Sequence, residues 1–241
     1  MFVRGVFSTA LAAGHLRLEA PAPQHGRDLA EHQLAALDAA AERHGRIVAG
    51  GISLGAHVAA EWAAANPGRC AGLLAALPGW LGDPASAPGA LASALSADAV
   101  AADGVAVALE RATAGVPRWL ADELRRAWRR AGADLVESLR VAVHRPAPTA
   151  DVLRGIRVPA GVAGCVDDPV HPIAVAREWA AALPSAALRT ITFAELGADR
   201  AVLGRAALDG LLVGMRDGVL DEVGHHDGDD DGSGDAAQRE R

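Results

Sequence analysis

A parallel α/β protein carrying an inserted helical segment is the fold class that this 241-residue chain predicts, and three observations lead there. Short runs that are apolar on both faces alternate with longer helical patterns, the arrangement of a mostly parallel central sheet covered by helices. Residues 82–149 break that alternation and read as several helices with no convincing strand. Gly51-Ile52-Ser53-Leu54-Gly55 sits between an apolar run and an alanine-rich helical pattern, where a sharp strand-to-helix turn belongs.

Taken in order, strands are expected at residues 2–4, 16–20, 46–49, 71–77, 160–166 and 187–192, each short and apolar. Helical patterns fill 28–44, 54–65, 173–183 and 200–213, and Asn66-Pro67-Gly68 stops the second of these. Pro159 and Pro184 mark entries into connections or strands. Within the insertion, Trp119, Leu120, Leu124, Ala127 and Trp128 share one helical face, while Arg125, Arg126, Arg129 and Arg130 crowd the others. The organisation expected is a core of 1–82 and 150–214, a helical lid of 83–149, and a disordered acidic tail over 215–241.

Composition excludes several chemistries. Half the residues are apolar, enough for a sizeable buried core. Lysine is absent, which removes Schiff-base catalysis, a serine-lysine dyad and a Walker-type phosphate loop. The net charge of -7 resides in residues 217–241, where nine acids face Arg239 and Arg241. A neutral body with an acidic tail offers nucleic acid no footprint. Cys70 and Cys165 lack metal-type spacing and read as small buried apolar residues in a reducing, cytoplasmic setting. No continuous apolar run reaches membrane-span length, so no membrane partner is expected. Residues 1–15 read as leading into a strand rather than as a secretory signal. His225 and His226 lie among tail aspartates, but a flexible tail does not pre-organise a coordination sphere, so neither metal nor cofactor is expected.

On these residues the chain resembles the α/β-hydrolase family, with the N-terminal edge of its sheet trimmed. Gly51 to Gly55 looks like that family's nucleophile elbow, which implies Ser53 as nucleophile and the Leu54 amide as an oxyanion donor. Phe2-Val3-Arg4-Gly5 is similar to the oxyanion loop after an early strand, which implies further donors around Gly5 and Val6. Gly164-Cys165-Val166-Asp167-Asp168-Pro169-Val170-His171-Pro172 resembles the acid-bearing loop, with Asp168 before Pro169 the better match. The resemblance puts the base after the last strand, and there this chain has Asp199; no histidine lies between His171 and His225.

A serine hydroxyl needs a base within hydrogen-bond reach, and that base needs a carboxylate to fix its tautomer. His171, three residues after Asp168, is the replacement carried forward; His57, one helical turn beyond Ser53, and Asp199 acting through water are the others. If Asp199 marks a degenerated base position, histidine placed there should restore turnover. The function implied is a serine hydrolase acting on a small-molecule carboxylic ester or thioester. Two alternatives stand beside it: a catalytically degenerate family member that binds a ligand or a partner, and a plain α/β domain in which Ser53 merely caps a helix. An exposed edge strand also predicts pairing with a second copy as a homodimer.

Overall fold

Four strands form one parallel sheet in sequence order: β1 (Ile47–Ile52), β2 (Cys70–Ala76), β3 (Ala160–Cys165) and β4 (Ala186–Ile191). The computed structural model describes residues 2–13 and 16–224. Register runs from Val48 opposite Gly72 to Ile52 opposite Ala76, and from Ala160 opposite Ala186 to Cys165 opposite Ile191. A sheet covered on both faces needs apolar side chains on both, and β2 shows the division. Its Leu73 and Ala75 enter one core while Leu74 and Ala76 enter the other, the period-two alternation of a strand.

On the first face lie α2 (Leu29–His44), α3 (Leu54–Ala65), α7 (Ala150–Arg154) and α8 (Ile173–Ala182), which bury Ala41, Trp62, Leu153 and Trp179 against the strands. The second face is covered by α1 (Phe2–Ala13) and α10 (Ala201–Gly224) through Val6, Phe7, Leu203, Ala207 and Leu211. Helix α10 presses directly on the strand backbones. A methyl group on Gly161 would sit 1.9 Å from the Ala207 carbonyl oxygen, and one on Gly210 would sit 2.5 Å from that of Ala187. Backbones approach this closely only where no Cβ intervenes.

Between β2 and β3 the chain passes through α4 (Pro88–Thr113), α5 (Arg118–Ala131), the 3-10 turn Gly132–Asp134 and α6 (Leu135–His144) before reaching α7. These helices share their own small core of Val100, Ala108, Leu109, Trp128, Ala131 and Leu135. Ala127, expected on the apolar face of α5, is exposed beside Arg126. Helix α4 turns at Gly104, whose φ of 80° only glycine adopts readily. By length and composition α4 is apolar enough to cross a membrane, a property the sequence reading did not find because alanine rather than a continuous run of large apolar residues supplies it.

Three expectations are corrected. Residues 2–4 are not a strand but the start of α1, whose Phe2, Val6, Phe7 and Leu11 recur at helical spacing and pack toward the second core. Residues 16–20 form no strand; the Ala20 carbonyl accepts a hydrogen bond from Arg4 Nη2 at 2.8 Å. Among the described residues the sheet edges are therefore β1 and β4. Helix α10 continues to Gly224, into the segment expected as a tail, and residues 225–241, with His225 and His226, lie outside the described residues.

Candidate active site

Every loop that matters leaves the carboxyl edge of the sheet, where ligands bind in open α/β proteins. Ser53 follows β1 directly with φ 55° and ψ -121°, a conformation that costs a non-glycine residue about 1 to 3 kcal/mol. The Ser53 amide donates to the Ala76 carbonyl at 2.9 Å, tying the turn to the end of β2. Gly51 makes the turn possible, since a methyl there would lie 2.2 Å from the Gly55 carbonyl carbon and oxygen. Gly55 differs: a methyl on it would meet nothing within 4 Å, so the close approach needs glycine on one side of the turn only.

Helix α3 begins at this serine. The Ser53 carbonyl accepts from the Ala56 and His57 amides at 2.9 and 3.3 Å, while its side chain makes no capping bond. A plain helix-cap role for the Ser53 hydroxyl is thereby set aside. The Leu54 amide is a first-turn donor without an intrahelical partner.

The hydroxyl instead meets His171. Ser53 Oγ and His171 Nε2 are 2.9 Å apart, and His171 Nδ1 lies 2.9 Å from Asp168 Oδ2. Asp168 also accepts the Val170 amide at 2.8 Å and the His171 amide at 3.2 Å through its other oxygen. One carboxylate thus folds its own loop and orients the imidazole. Its side chain is 6% exposed and that of His171 18%. Burial pushes the Asp168 carboxyl up, but the His171 hydrogen bond and charge, with the two amides, outweigh it and hold the group below its ordinary value. The neighbouring Asp167 does other work, accepting the Phe193 amide at 2.7 Å and the Cys165 thiol at 3.2 Å. Cys165 and Cys70 are both buried free thiols, and burial pushes that of Cys165 up to about 12.

The segment after β4, where the resemblance leads one to seek the base, is built for a different task. Thr192 and Glu195 form a capping box that starts α9 (Phe193–Ala198). Asp199 accepts the Ala201 amide at 2.9 Å and pairs with Arg205 at 2.7 Å, which together keep its carboxyl below the ordinary value, Arg205 contributing most. Asp199 is engaged at the start of α10 rather than with Ser53 or His171. Helix α9 also receives the insertion. Trp119 of α5 packs on Phe193 with ring centroids 4.9 Å apart, and Gly197 leaves room for its indole, since a methyl there would be 2.4 Å from Nε1. Arg200 lies 5.7 Å over the same indole and bonds Glu123 at 3.0 Å.

His57 is buried, 1% exposed, and not a partly exposed pocket residue. Its Nε2 accepts the Gly79 amide at 3.0 Å, and its ring lies between Trp80 and Trp179. Burial, with smaller effects from His171 and Arg145, holds the imidazole down at about 3. A base engaged in this way is not free to serve Ser53. Gly5 and Val6 do not follow a strand into an oxyanion loop: both belong to α1, and Val6 is fully buried with its carbonyl against Gly204 of α10.

Parallel strands in this order, a serine at a strained turn after β1 and an acid loop after β3 define an α/β-hydrolase fold. No protein-family model and no curated sequence matches the chain. Among solved structures it is similar to a carboxylesterase of the thaumarchaeon Nitrososphaera gargenis, at 15% identity and TM-score 0.57 over 81% of this chain and 72% of the other. It is likewise similar to a thermophilic esterase from Thermogutta terrifontis, at 19% identity and TM-score 0.53 over 86% and 74% of the two chains. A candidate non-heme bromoperoxidase of Mycobacterium tuberculosis aligns at 17% identity and TM-score 0.55 over 88% and 79%. At such identities the likeness concerns the fold, and the same fold carries different chemistries.

Proposed function

We propose that this protein is a serine hydrolase of small carboxylic esters or thioesters, with Ser53 as nucleophile, His171 as general base and Asp168 as its orienting carboxylate. The observation that carries the reading is the unbroken relay of two 2.9 Å contacts from Ser53 Oγ through the imidazole to Asp168. His171 Nε2 takes the hydroxyl proton as Oγ attacks the acyl carbon, and the Asp168 carboxylate holds the proton on Nδ1 and stabilises the imidazolium. The Leu54 amide, at the positive end of α3, donates to the oxyanion of the tetrahedral intermediate. The imidazolium returns its proton to the leaving alcohol or thiol, and water then releases the acyl group by the same steps in reverse.

A fluorophosphonate probe and a panel of short-chain p-nitrophenyl esters and thioesters test the reading. Stoichiometric labelling and turnover are expected, both abolished by Ser53→Ala. No labelling of the folded protein at any pH from 5 to about 9, the range over which imidazole bases operate, would remove the catalytic assignment.

A further inference from the structure

We propose that the outer edge of β1 is a docking surface for the same edge of a second copy of this chain, the two strands pairing antiparallel about Gly50. Neither residues 2–4 nor residues 16–20 supplies a strand beside β1, so β1 ends the sheet. Its backbone polar groups divide by period two. The Ile47 amide donates to the Arg69 carbonyl and the Ser53 amide to that of Ala76. The odd-numbered residues therefore face β2, and Val48, Gly50 and Ile52 present their N–H and C=O groups outward. Among the described residues these groups have no partner, and Gly50 is exposed.

The opposite edge of the sheet is guarded. In β4 the Ile191 carbonyl faces β3, as does that of Ser185 just before the strand, which turns Ala186, Leu188 and Thr190 outward. There Arg189 folds back and donates from Nη1 to the outward Leu188 carbonyl at 3.1 Å. The side chain occupies an edge acceptor and sets a charge beside it, a device that keeps strand edges from pairing. Strand β1 has no such device, for residues 47–52 carry no charged group. Arg46, just before the strand, turns the other way and bonds the Cys70 carbonyl of β2 at 2.9 Å.

The chain's own segments do not suit the vacant row. Residues 16–20 are held elsewhere, Glu19 by Arg43 and His44 of α2 and the Ala20 carbonyl by Arg4. Residues 225–241 are dominated by Asp and Gly, which disfavour strands. A charged peptide would meet no opposite charge on the strand. A second β1 fits. With Gly50 opposite Gly50, Val48 stands opposite Ile52 of the second copy and Ile52 opposite its Val48, so the two rows close in about six hydrogen bonds. Val48 and Ile52 both lie on the face of the second core, so the pairing adds two cross-strand pairs of β-branched residues and carries that core across the axis. On the other face Ala49 opposes Gly51, and neither is bulky. The contact is two-fold and closes on itself, with the guarded β4 edges outermost.

Sedimentation velocity and amide hydrogen exchange of the full chain at rising concentration test the proposal. The mass should double, and the Val48, Gly50 and Ile52 amides should exchange about tenfold more slowly in the dimer than at high dilution. The outward Ala186, Leu188 and Thr190 amides should keep one rate throughout. Val48→Lys, which places on β1 the kind of charge that Arg189 supplies to β4, should leave a folded monomer. If that variant does not fold, the wild-type exchange rates decide alone. A wild-type protein that stays monomeric at every concentration would overturn the proposal, whether its β1 amides exchange freely or are covered by another part of the chain. A dimer whose three β1 amides exchange at the dilute rate, or one that survives in folded Val48→Lys, would overturn it as well.

Discussion

Two stretches at the carboxyl edge of the sheet invite comparison, residues 164–172 after β3 and residues 192–200 after β4. The first holds a carboxylate and an imidazole within four residues, joined to each other and, through the imidazole, to Ser53. The second presents four polar groups of its own, yet Thr192, Glu195 and Asp199 are spent on helix caps, Arg200 bonds Glu123, and its apolar side receives Trp119 from the insertion. Hydrogen-bond geometry constrains where a base sits and not which strand delivers it. The imidazole reaches Ser53 from the β3 loop, and the segment after β4 serves instead as a ledge on which Trp119 docks.

The largest effect should come from the first stretch. His171→Ala is expected to lower kcat/KM about a millionfold and to slow fluorophosphonate labelling in step, with unchanged circular dichroism; Asp168→Asn should cost less, about ten-thousandfold. Next comes the buried ring behind that loop. Unfolded His57 binds a proton as pH falls through 6.5, whereas the folded ring resists until about 3, so the proton favours the unfolded chain and stability declines as pH drops across that window. The slope attributable to this group is about 1.4 kcal/mol per pH unit. Urea titrations at pH 6.5 and pH 4.5 should show a clearly smaller loss for His57→Gln than for wild type.

Smaller effects belong to the second stretch. Trp119→Ala should cost about 2 kcal/mol in urea unfolding, a partly buried version of an aromatic core deletion, while labelling of Ser53 in the folded protein stays near the wild-type rate. Labelling that collapsed with Trp119→Ala would mean the ledge takes part in the chemistry after all. Asp199→His, the substitution that the family resemblance nominates as a rescue, should bring no gain in turnover and a slight drop in melting temperature, because it removes the α10 cap and the Arg205 pair.

Much of this was legible before any coordinates. The four strands of the sheet were placed within a few residues because each is an apolar run bounded by Gly, Pro or a helix signal, and the elbow announced itself through Gly51. Asp168 could be proposed because residues 164–172 resemble the family's acid-bearing loop, and His171 because it follows three residues later on a loop expected at the carboxyl edge of the sheet. Their convergence on Ser53 could not be read, since it depends on how the ends of β1 and β3 come together. The N-terminal error had a different origin: Phe2-Val3 looks extended when read alone, and only the recurrence through Val6, Phe7 and Leu11 marks a helix. The Thr192-x-x-Glu195 signature of a capping box was present and passed over in the search for a missing histidine. The burial of His57 was missed: it was expected to line a pocket or stay partly exposed, whereas it is enclosed with its neighbours Ala56, Val58, Ala59 and Ala60.

With the carboxylate and the imidazole confined to Asp168-Pro169-Val170-His171, the contacts that run to Ser53 belong to one four-residue loop that a short exchange could transplant or delete. Changes in the stretch after β4 would leave that loop intact, so the seat of Trp119 can be remodelled without altering the contacts made to Ser53.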